Sequence, residues 1–405
     1  MTDRLYYHDS FLHTFDARVL ESRDYDGKTA VVLDRTAFYP TSGGQAHDTG
    51  VFVLEDDTKV SVVDVEDEED GTVRHFISGA LIPGNSVRGL VDASRRRDHM
   101  QQHSGQHVLS AAFVRLFDVP TVSFHMGTES CTIDLAVKSL TPGQIVQAER
   151  LANDVVTEDR PVTIRFVSLE EARQMALRKL PPKQTGELRL IDIADFDLTA
   201  CGGTHVRSTG QIGAILLRKI ENVKQGMRVE FVCGFRAMDT ARQDYNTLAE
   251  AAGLYSAHLR EVPEQIRKSI QETKASAKDR HKLLEELAEF QAARLLAEAT
   301  GTPRVITAVF PERDAAFIKL VAQKLTAGNT DVVALMASGF GQAAVVFAQS
   351  PGQKWNMGQL LKETMAQLGG RGGGSADMAQ GGLPAGNVDL AQVEKVLRET
   401  AKRLA

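Results

Sequence analysis

Two short motifs, far apart in the 405-residue chain, constrain the fold more than any other feature of the sequence. The first is His103-Ser-Gly-Gln-His107. On a helix, residues i and i+4 share one face with Cβ atoms about 5–6 Å apart, so both imidazoles can chelate one ion. The second is Cys201-Gly-Gly-Thr-His205, in which two glycines allow the backbone to wrap around a metal. Together the motifs supply four ligands of the types that zinc prefers.

The motifs exclude one class of enzyme and leave the role of the metal open. Zinc proteases with an H-E-x-x-H motif carry a glutamate base between their histidines, whereas Ser-Gly-Gln stands between His103 and His107. Four protein ligands could equally form a closed structural site, because a catalytic ion needs an open or displaceable position. The sequence therefore predicts Zn²⁺, with catalytic and structural roles as alternatives.

Apolar runs and turn residues predict a chain of several domains. Near the N-terminus, short apolar runs such as Thr29–Leu33 and Val51–Leu54 alternate with glycine-containing turns, and a small barrel is the natural closure for many short strands. Later stretches mix helix and strand, then become rich in helix-forming residues, and finally alternate strand and helix. The length also exceeds what a single hydrophobic core supports.

The predicted fold class is multidomain α+β and α/β: an N-terminal small β-barrel, an α+β domain with the zinc site, a helical arm and a C-terminal small α/β domain. The expected boundaries of these four domains are 1–90, 91–235, 236–300 and 301–405. Helices are predicted at Asp98–Phe117, from Thr141-Pro142 onward, and at Arg313–Leu325, Gly358–Leu368 and Asp389–Leu404. Strands are predicted at Ser130–Leu135, Val162–Val167, Leu188–Ile193, Ile212–Ile220, Arg228–Cys233, Arg304–Phe310, Asp331–Met336 and Ala343–Ala348.

Charge is unevenly distributed along the chain, whose net charge is -6. Residues 1–90 contain 8 basic and 17 acidic residues, a balance of -9, and much of it lies in Asp64–Asp70, which we interpret as a solvated hairpin end. The other residues contain 39 basic and 36 acidic side chains, and this balance of +3 allows RNA binding without requiring it.

The sequence also bears on the cellular compartment. It contains no run of about 18 apolar residues and no basic segment followed by an apolar stretch, so neither a membrane span nor a secretory signal is expected. Its three cysteines, Cys131, Cys201 and Cys233, are too few for a disulfide framework and fit a reducing environment. We therefore expect a cytoplasmic protein without a membrane partner.

The sequence around both metal motifs resembles a known family. It is similar to the editing domain of alanyl-tRNA synthetase and of its free-standing relatives, the AlaX-type alanyl-tRNA editing proteins. The matching stretches are His103–Leu109, Val122–Gly127, Thr132–Leu135, Ala200–Val206 and Arg207–Gly213. Two further stretches extend the resemblance. Phe38–Gln45 with Asp48–Gly50 looks like the barrel that precedes the editing domain, and Gly369–Gly382 looks like the glycine-rich signature of the synthetase's C-terminal domain.

The resemblance implies hydrolysis of the ester between an amino acid and the terminal ribose of alanine tRNA. It implies that His103, His107, Cys201 and His205 hold the zinc, which either activates water or the ester or only orients the substrate. Serine is the expected misattached amino acid and glycine the second. Because the barrel begins close to residue 1, where a synthetase carries an aminoacylation domain, we expect the long, free-standing form that edits in trans.

Several polar residues are candidates to complete the pocket. Thr41, Gln45 and His125 are the catalytic candidates, although Phe124-His125 departs from the Gln-Lys expected in a synthetase. Asp134 either faces the pocket or lies on the solvent side of its strand. The candidates for binding substrate or tRNA are Ser42, Gly43, Gly44, Gly202 and Arg371. For the glycine pair beside Ser42, a tight turn is the simpler explanation.

The glycine-rich segment Gly369–Gly382 has two interpretations. Such stretches are usually flexible linkers. We favour a nucleic-acid contact with Arg371 as its best candidate, because amides exposed by glycines near a helix start can bind phosphate. A homodimer through the C-terminal domain is the alternative use of this part of the chain.

Three rival functions remain. The chain could be a non-catalytic tRNA-binding protein with a structural zinc, or a zinc hydrolase that acts without RNA. It could also edit another tRNA, since threonine-type editing domains share both metal motifs. The Phe38–Gln45 and Gly369–Gly382 stretches favour the alanine branch.

Overall fold

The computed structural model describes residues 2–25, 27–179, 187–224, 226–384 and 388–404. The chain divides into two compact units, Met1–Glu250 and Ala251–Ala405. The predicted fold class, multidomain α+β with an N-terminal barrel, is confirmed. The four predicted domain boundaries stay a prediction. None of the described helices is long and apolar enough to cross a membrane.

The elements of the first unit are short strands followed by a mixture of helices and strands. Its strands are β1 Asp3–Arg4, β2 Thr14–Tyr25, β3 Lys28–Leu33, β4 Arg35–Thr36, β5 Gly50–Val53, β6 Lys59–Asp67, β7 Val73–Ser78, β8 Ser86–Val91, β9 Thr121–Met126, β10 Cys131–Leu135, β11 Val162–Ser168, β12 Glu187–Ile193, β13 Asp197–Ala200, β14 Ile215–Val223 and β15 Gly226–Cys233. Its helices are α1 Ala93–Phe117, α2 Pro142–Thr157 and α3 Leu169–Gln174, and α4 Gly234–Leu254 begins in this unit and ends in the second.

Six strands close into the barrel that the sequence predicts, in the order β2-β3-β7-β6-β5-β8. All neighbours are antiparallel, and alternate side chains such as Val19, Val31 and Phe52 fill the interior. Asp64–Asp70, expected at a hairpin end, covers the last residues of β6 and the turn that leads to β7. Asp26, placed in a turn from sequence, lies outside the described residues.

Helix α1 is the centre of the α+β part, which also holds a four-stranded sheet (β14-β15-β10-β9) and a three-stranded sheet (β11-β12-β13). The side chain of Asp92 caps its N-terminus by accepting from the amides of Ser94 and Arg95. Most of the helix beyond Arg96 is buried, and Gly105 lets the sulfur of Cys233 approach to 2.2 Å from where a Cβ would stand. A polar helix buried this deeply needs polar partners, which are found at the metal centre.

A buried ion pair ties α1 to the barrel. Arg96 and Asp48 are both fully buried, and the Nε of Arg96 lies 3.0 Å from Oδ2 of Asp48. Arg96 also donates to the carbonyls of Ser10 (2.8 Å) and Ala37 (2.5 Å), and Asp48 accepts from the amide of Tyr39 (2.7 Å). The loop that connects β4 to β5 is therefore fixed against α1, so its residues can reach the motif histidines.

The predicted helices and strands of this unit are found with shifted ends. The helix after Thr141 begins at Pro142, with Thr141 and Gln144 forming a reciprocal cap. The strand predicted at Ile212–Ile220 begins late, at Ile215, because Thr209–Ile212 forms a 3-10 turn. The short strand β13, which leads into the second motif, was not predicted.

The second unit is a sheet with helices on both faces. After a 3-10 turn at Leu259–Glu261, its elements are α5 Val262–Glu298, β16 Arg304–Phe310, α6 Ala315–Thr326, β17 Val332–Ser338, β18 Ala344–Gln349, α7 Met357–Gln367, β19 Arg371–Gly374, β20 Met378–Gly382 and α8 Leu390–Lys402. The strand order is β16-β17-β18-β20-β19. One core packs α5 and α6 against the sheet, and a second packs α7 and α8 against it. This arrangement is the predicted small α/β domain.

The glycine-rich segment is part of this sheet, so its interpretation as a flexible linker is wrong. Strands β19 and β20 pair antiparallel, with Gly372 opposite Gly381. A Cβ on Gly372 would stand 2.6 Å from the Cα of Gly381 and 2.8 Å from the side chain of Leu361 on α7. The glycines are needed because a helix lies directly on the hairpin.

Candidate metal centre

The two motifs meet at one place in the first unit. The ligand atoms of His103, His107, Cys201 and His205 all lie within 4.8 Å of one another, and the three histidines are buried. The Sγ of Cys201 lies 3.3 Å from Nε2 of His103 and 3.4 Å from Nε2 of His205. Tetrahedral zinc with one sulfur and three nitrogen ligands separates these atoms by roughly 3.6 Å, so the spacing fits such an ion.

Local backbone geometry brings each motif to the cluster. On α1, one helical turn separates the first two histidines, whose ring centroids lie 5.2 Å apart. The second motif follows β13 as a loop, and a Cβ on Gly203 would stand 2.2 Å from Cε1 of His103. The glycine at this position is therefore required for the loop to close on the helix.

The barrel loop supplies a partner for His103. Oε1 of Gln45 lies 2.7 Å from Nδ1 of His103 and also accepts from the amide of Thr204 (3.1 Å), while its Nε2 donates to Oγ1 of Thr204 (2.8 Å). Gln45 is fully buried. A carbonyl oxygen at Nδ1 fixes that nitrogen as the donor, and Nε2 is left to face the cysteine.

The other two histidines have polar partners at Nδ1 as well. Oγ of Ser104 lies 3.1 Å from Nδ1 of His205. Oδ2 of Asp197, on β13, lies 3.5 Å from Nδ1 of His107, and the guanidinium of Arg178 holds the same carboxylate with contacts of 2.7 and 3.0 Å. All three imidazoles therefore turn one nitrogen toward a polar side chain and the other toward the cluster.

Electrostatics favour the metal-binding protonation states of Cys201 and His205, whereas at His107 burial is outweighed by Cys201 and Asp197, which raise the pKa of that imidazole. Burial opposes ionisation of Cys201, but the surrounding histidines outweigh it and hold the pKa of the thiol well below its ordinary value. Burial lowers the pKa of His205 to about 3, which keeps that imidazole neutral. A thiolate and neutral imidazoles are the ligand forms that bind zinc, and this donor set favours zinc over magnesium or calcium.

Arg189, on β12, holds the backbone of the second motif. Its Nη1 donates to the carbonyls of Cys201 (2.6 Å) and Gly203 (3.0 Å), and its Nε donates to the carbonyl of Tyr7 (2.9 Å). Burial lowers the pKa of this guanidinium from its ordinary value. Arg189 thereby joins the N-terminal segment, the sheet and the metal-ligand loop.

The structure separates the predicted pocket residues around the barrel turn. Thr41, Ser42, Gly43 and Gly44 are exposed, whereas Gln45 is buried against the cluster. Oγ1 of Thr41 lies 3.1 Å from Nδ1 of His47. Both glycines have positive φ values, 58° and 86°, and a Cβ on the second would stand 2.6 Å from the carbonyl oxygen of Phe124. A tight turn therefore accounts for both glycines, and any contact with substrate stays a prediction.

The two candidates on the four-stranded sheet lie away from the cluster donors. His125 is exposed on β9 opposite Thr132, and it is the ring of its neighbour Phe124 that lies 5.5 Å from the ring of His103. Asp134 accepts from Arg228 (2.7 and 2.9 Å) and from Ser123 (2.9 Å). The Arg228 guanidinium lowers the pKa of that carboxyl, so Asp134 forms an ion pair on the sheet face opposite the buried Ile133.

The last two candidates are both exposed. Gly202 lies in the metal-ligand loop, where a Cβ would stand 3.4 Å from the hydroxyl of Tyr7. Arg371 lies on β19, the edge strand of the second unit's sheet. Its exposure leaves the guanidinium available, and its contact with tRNA stays a prediction, as does a homodimer.

Apart from Gln45, the polar partners of the ligands do not stand out in the sequence. Ser104 and Thr204 stand inside the two motifs, so their position alone could have suggested them. Asp197 precedes Cys201 by four residues on a strand, and residues at even spacing share a face, which is a usable signal once the strand is recognised. The sequence gives no comparable indication for Arg178 or Arg189.

Three protein-family models match separate segments of the chain. The model described as the second additional domain of threonyl and alanyl tRNA synthetases matches residues 188–229. The model described as class II (A) tRNA synthetases matches residues 4–95, and the DHHA1 domain matches residues 302–404. The three matches follow the chain from the barrel through the second metal motif to the second unit.

One relative matches nearly end to end. The alanyl-tRNA editing protein AlaX-L of Pyrococcus horikoshii is 33% identical over 396 residues, which cover 95% of each chain. The alanine–tRNA ligase of Pyrococcus abyssi is 31% identical over all of this chain, which spans 44% of the ligase. The C-Ala domain of the Aquifex aeolicus alanyl-tRNA synthetase is 27% identical and covers 26% of this chain and 97% of its own, with a TM-score of 0.23, too low to carry an argument. The chain belongs to the AlaX family of alanyl-tRNA editing proteins.

Proposed function

We propose that this chain is a zinc-dependent deacylase that hydrolyses the ester between a misattached amino acid, serine first of all, and alanine tRNA. The observation that carries the proposal is the convergence of His103, His107, Cys201 and His205 in a member of the editing-protein family. Similarity to an alanyl-tRNA editing protein over 95% of both chains supports deacylation as the reaction and tRNA as the partner.

The side chains around the cluster have a positioning role. Gln45, Ser104 and Asp197 each engage one imidazole and so set the direction of its free nitrogen. Arg189 fixes the two carbonyls of the metal-ligand loop. A zinc ion held by the four ligands would act as a Lewis acid toward the ester or lower the pKa of a bound water toward about 7. Because the cluster is buried, these electrostatic interactions are little screened by solvent.

The expected selectivity follows from the chemistry of the amino acids. Serine carries a hydroxyl that alanine lacks, and a site that hydrogen-bonds a hydroxyl can reject an analogue without it by about 10⁴–10⁵. Glycine must be distinguished from alanine by size alone, which supplies much less discrimination. We therefore place serine first and glycine second among the substrates.

The experiment measures release of serine from Ser-tRNA(Ala), with Ala-tRNA(Ala) as the substrate that must survive. The zinc-loaded protein should release serine and leave alanine attached, and Cys201→Ala should abolish release because one of four ligands is lost. Cys131→Ala is the matched control. Cys131 is buried on β10 and is not one of the four ligands, so the variant should retain activity.

Each rival predicts a different result. Zinc-loaded protein that binds tRNA without releasing serine would be a tRNA-binding protein with a structural metal. Equal cleavage of a simple serine ester and of charged tRNA would indicate a hydrolase that does not need RNA. Faster release from Ser-tRNA(Thr) than from Ser-tRNA(Ala) would move the chain to threonine editing.

A further inference from the structure

Two exposed aromatic side chains stack beside the metal-ligand loop. His8 follows the 3-10 turn Leu5–Tyr7, and Phe166 lies on β11. Their ring centroids are 5.1 Å apart and their planes are inclined by 33°. Both residues are exposed, with Phe166 at 36%. Single exposed rings are common on protein surfaces, so this pair is a candidate contact surface because it stacks beside the metal-ligand loop and not because it is exposed.

The position of Phe166 on its sheet makes this exposure informative. Val162 and Ile164 precede it at even spacing on β11, so all three side chains share a face. Val162 belongs to the unit's main hydrophobic core and Ile164 packs against it, whereas Phe166 extends past the point where that core ends. The ring is covered by His8 alone among the aromatic side chains of the described residues.

The aromatic pair lies close to the cluster by a route that can be followed across the sheet. Phe166 stands opposite Arg189 on the neighbouring strand, and the amide of Cys201 donates to the carbonyl of Arg189 on the other side (3.2 Å). Two strand spacings of about 4.8 Å place Phe166 roughly 10 Å from the metal-ligand cysteine. Tyr7 bridges the two, since its carbonyl accepts from Arg189 and its hydroxyl lies at Gly202.

We infer that the rings of His8 and Phe166 form a stacking platform for an unpaired base at the 3′ end of the tRNA substrate. The inference rests on the proposed function, because the ester to be cleaved is attached to the terminal ribose. The bases nearest to the cluster are then the terminal base and the one before it. Every base has a π face, so a platform of this kind holds the end of the strand without reading its sequence.

The platform has a distinct role from the ligands. It binds a base at a distance from the ester, so its removal weakens binding of tRNA and leaves the metal centre intact. Base–aromatic stacking is strong enough that loss of one ring lowers affinity about tenfold. The same loss should not change cleavage of a substrate that has no base.

The experiment follows the stack itself. Alanine tRNA is prepared with the fluorescent base 2-aminopurine at the terminal position or at the one before it, and is titrated with full-length protein in a Cys201→Ala background. We expect quenching at one of these positions on binding, a loss of that quenching with an affinity about tenfold lower in Phe166→Ala, and recovery in Phe166→Trp. Phe235→Ala is the matched control, because Phe235 is 57% exposed on α4 and should leave quenching unchanged.

A second readout keeps folding and function separate. In the otherwise wild-type protein, Phe166→Ala should raise KM for Ser-tRNA(Ala) about tenfold with little change in kcat, and should cleave serine methyl ester like the parent. Unchanged quenching of both labels in Phe166→Ala would overturn the platform. Intact, Phe166-dependent quenching without serine release from the wild type would instead refute the proposed function and leave the platform standing.

Discussion

Buried histidines occur in two regions of the first unit, and their surroundings differ. His75 lies in the barrel interior with Nε2 2.8 Å from Oγ1 of Thr36 and Nδ1 3.3 Å from the carbonyl of Val31. The edges of Phe38 and Phe52 complete its environment. In the metal cluster, by contrast, His103 has a polar partner at Nδ1 and turns Nε2 toward other ligand atoms.

The partners of the two ring nitrogens distinguish a structural histidine from a candidate metal ligand. Both nitrogens of His75 are satisfied by the protein, so the ring is complete as it stands. In the cluster, His103 and His205 each have a polar partner at Nδ1, and the second nitrogen of each faces the sulfur of Cys201, where an ion would join them. Nδ1 of His107 has no hydrogen bond among the described residues and only approaches Asp197 at 3.5 Å. Burial alone, which both regions share, carries no such information.

The largest effect that would sharpen this comparison is the response of the barrel to acid. Burial lowers the pKa of His75 to about 4, whereas an exposed histidine titrates near 6.5. Between these values the unfolded state binds a proton that the folded state does not. Stability attributable to His75 is therefore complete above about pH 6.5 and falls by about 3 kcal/mol as the pH decreases to about 4.

The measurement is the free energy of unfolding from pH 7 to pH 4 for the wild type and for His75→Gln, which keeps a hydrogen-bonding side chain. Other carboxyl and histidine groups titrate in both proteins, so their contributions cancel in the difference. As the pH falls, the wild type should lose about 3 kcal/mol more of its free energy of unfolding than the variant does. A difference independent of pH would show that His75 can be protonated in the folded barrel.

Gln45 offers the second test, because it is the hydrogen-bond partner of Nδ1 of His103 and leaves Nε2 to face the other ligands. Gln45→Leu removes the acceptor at Nδ1 of His103 while nearly keeping the side-chain volume. Loss of such a partner lowers metal affinity about 10–100-fold. Competition with a chelator measures the affinity, and Gln45→Glu, which keeps the acceptor oxygen, should recover part of it.

The same pair of variants decides between positioning and catalysis. If Gln45→Leu bound zinc as tightly as the wild type yet lost activity, Gln45 would act on the substrate, as the sequence suggested. Activity that recovers when zinc is supplied in excess would identify a positioning residue. Thr41→Ala, in the same loop but exposed, is the control that should leave zinc affinity unchanged.

The ligand motifs could be predicted from sequence because their geometry is local. A helix places His103 and His107 on one face at any location in a fold, and the two glycines before His205 let its loop wrap in the same way. The partners were missed because they are brought together by tertiary structure. Gln45 was singled out for its turn, and its contact with His103 depends on the ion pair between Arg96 and Asp48 that seats the barrel loop on α1.

In the second unit, the regular elements could be predicted from the sequence, whereas the glycine-rich motif could not be assigned a structure. Its strands and helices could be read from alternating apolar segments, and Arg304–Phe310 was predicted with the bounds that the structure has. The glycine-rich hairpin could not be assigned in this way, because glycines give no hydrophobic periodicity. Their reason is the packing of Leu361 against Gly372, a contact between elements that no local pattern encodes.

The smallest effect concerns His107, whose partner is the most distant of the three. Asp197 lies 3.5 Å from Nδ1 of His107 and is shared with Arg178, so its hold on the imidazole is looser than that of Gln45 on His103. Asp197→Asn keeps the shape and removes the charge, and it should weaken zinc binding about tenfold, the lower end for such partners. The visible spectrum of the Co²⁺-substituted protein should shift, because the orientation of one ligand changes.

Asp192→Asn is the matched control, since Asp192 pairs with Arg165 at 3.2 Å on the exposed side of the same sheet. Equal zinc affinity and an unchanged spectrum in Asp197→Asn would mean that the Asp197 carboxylate does not orient His107.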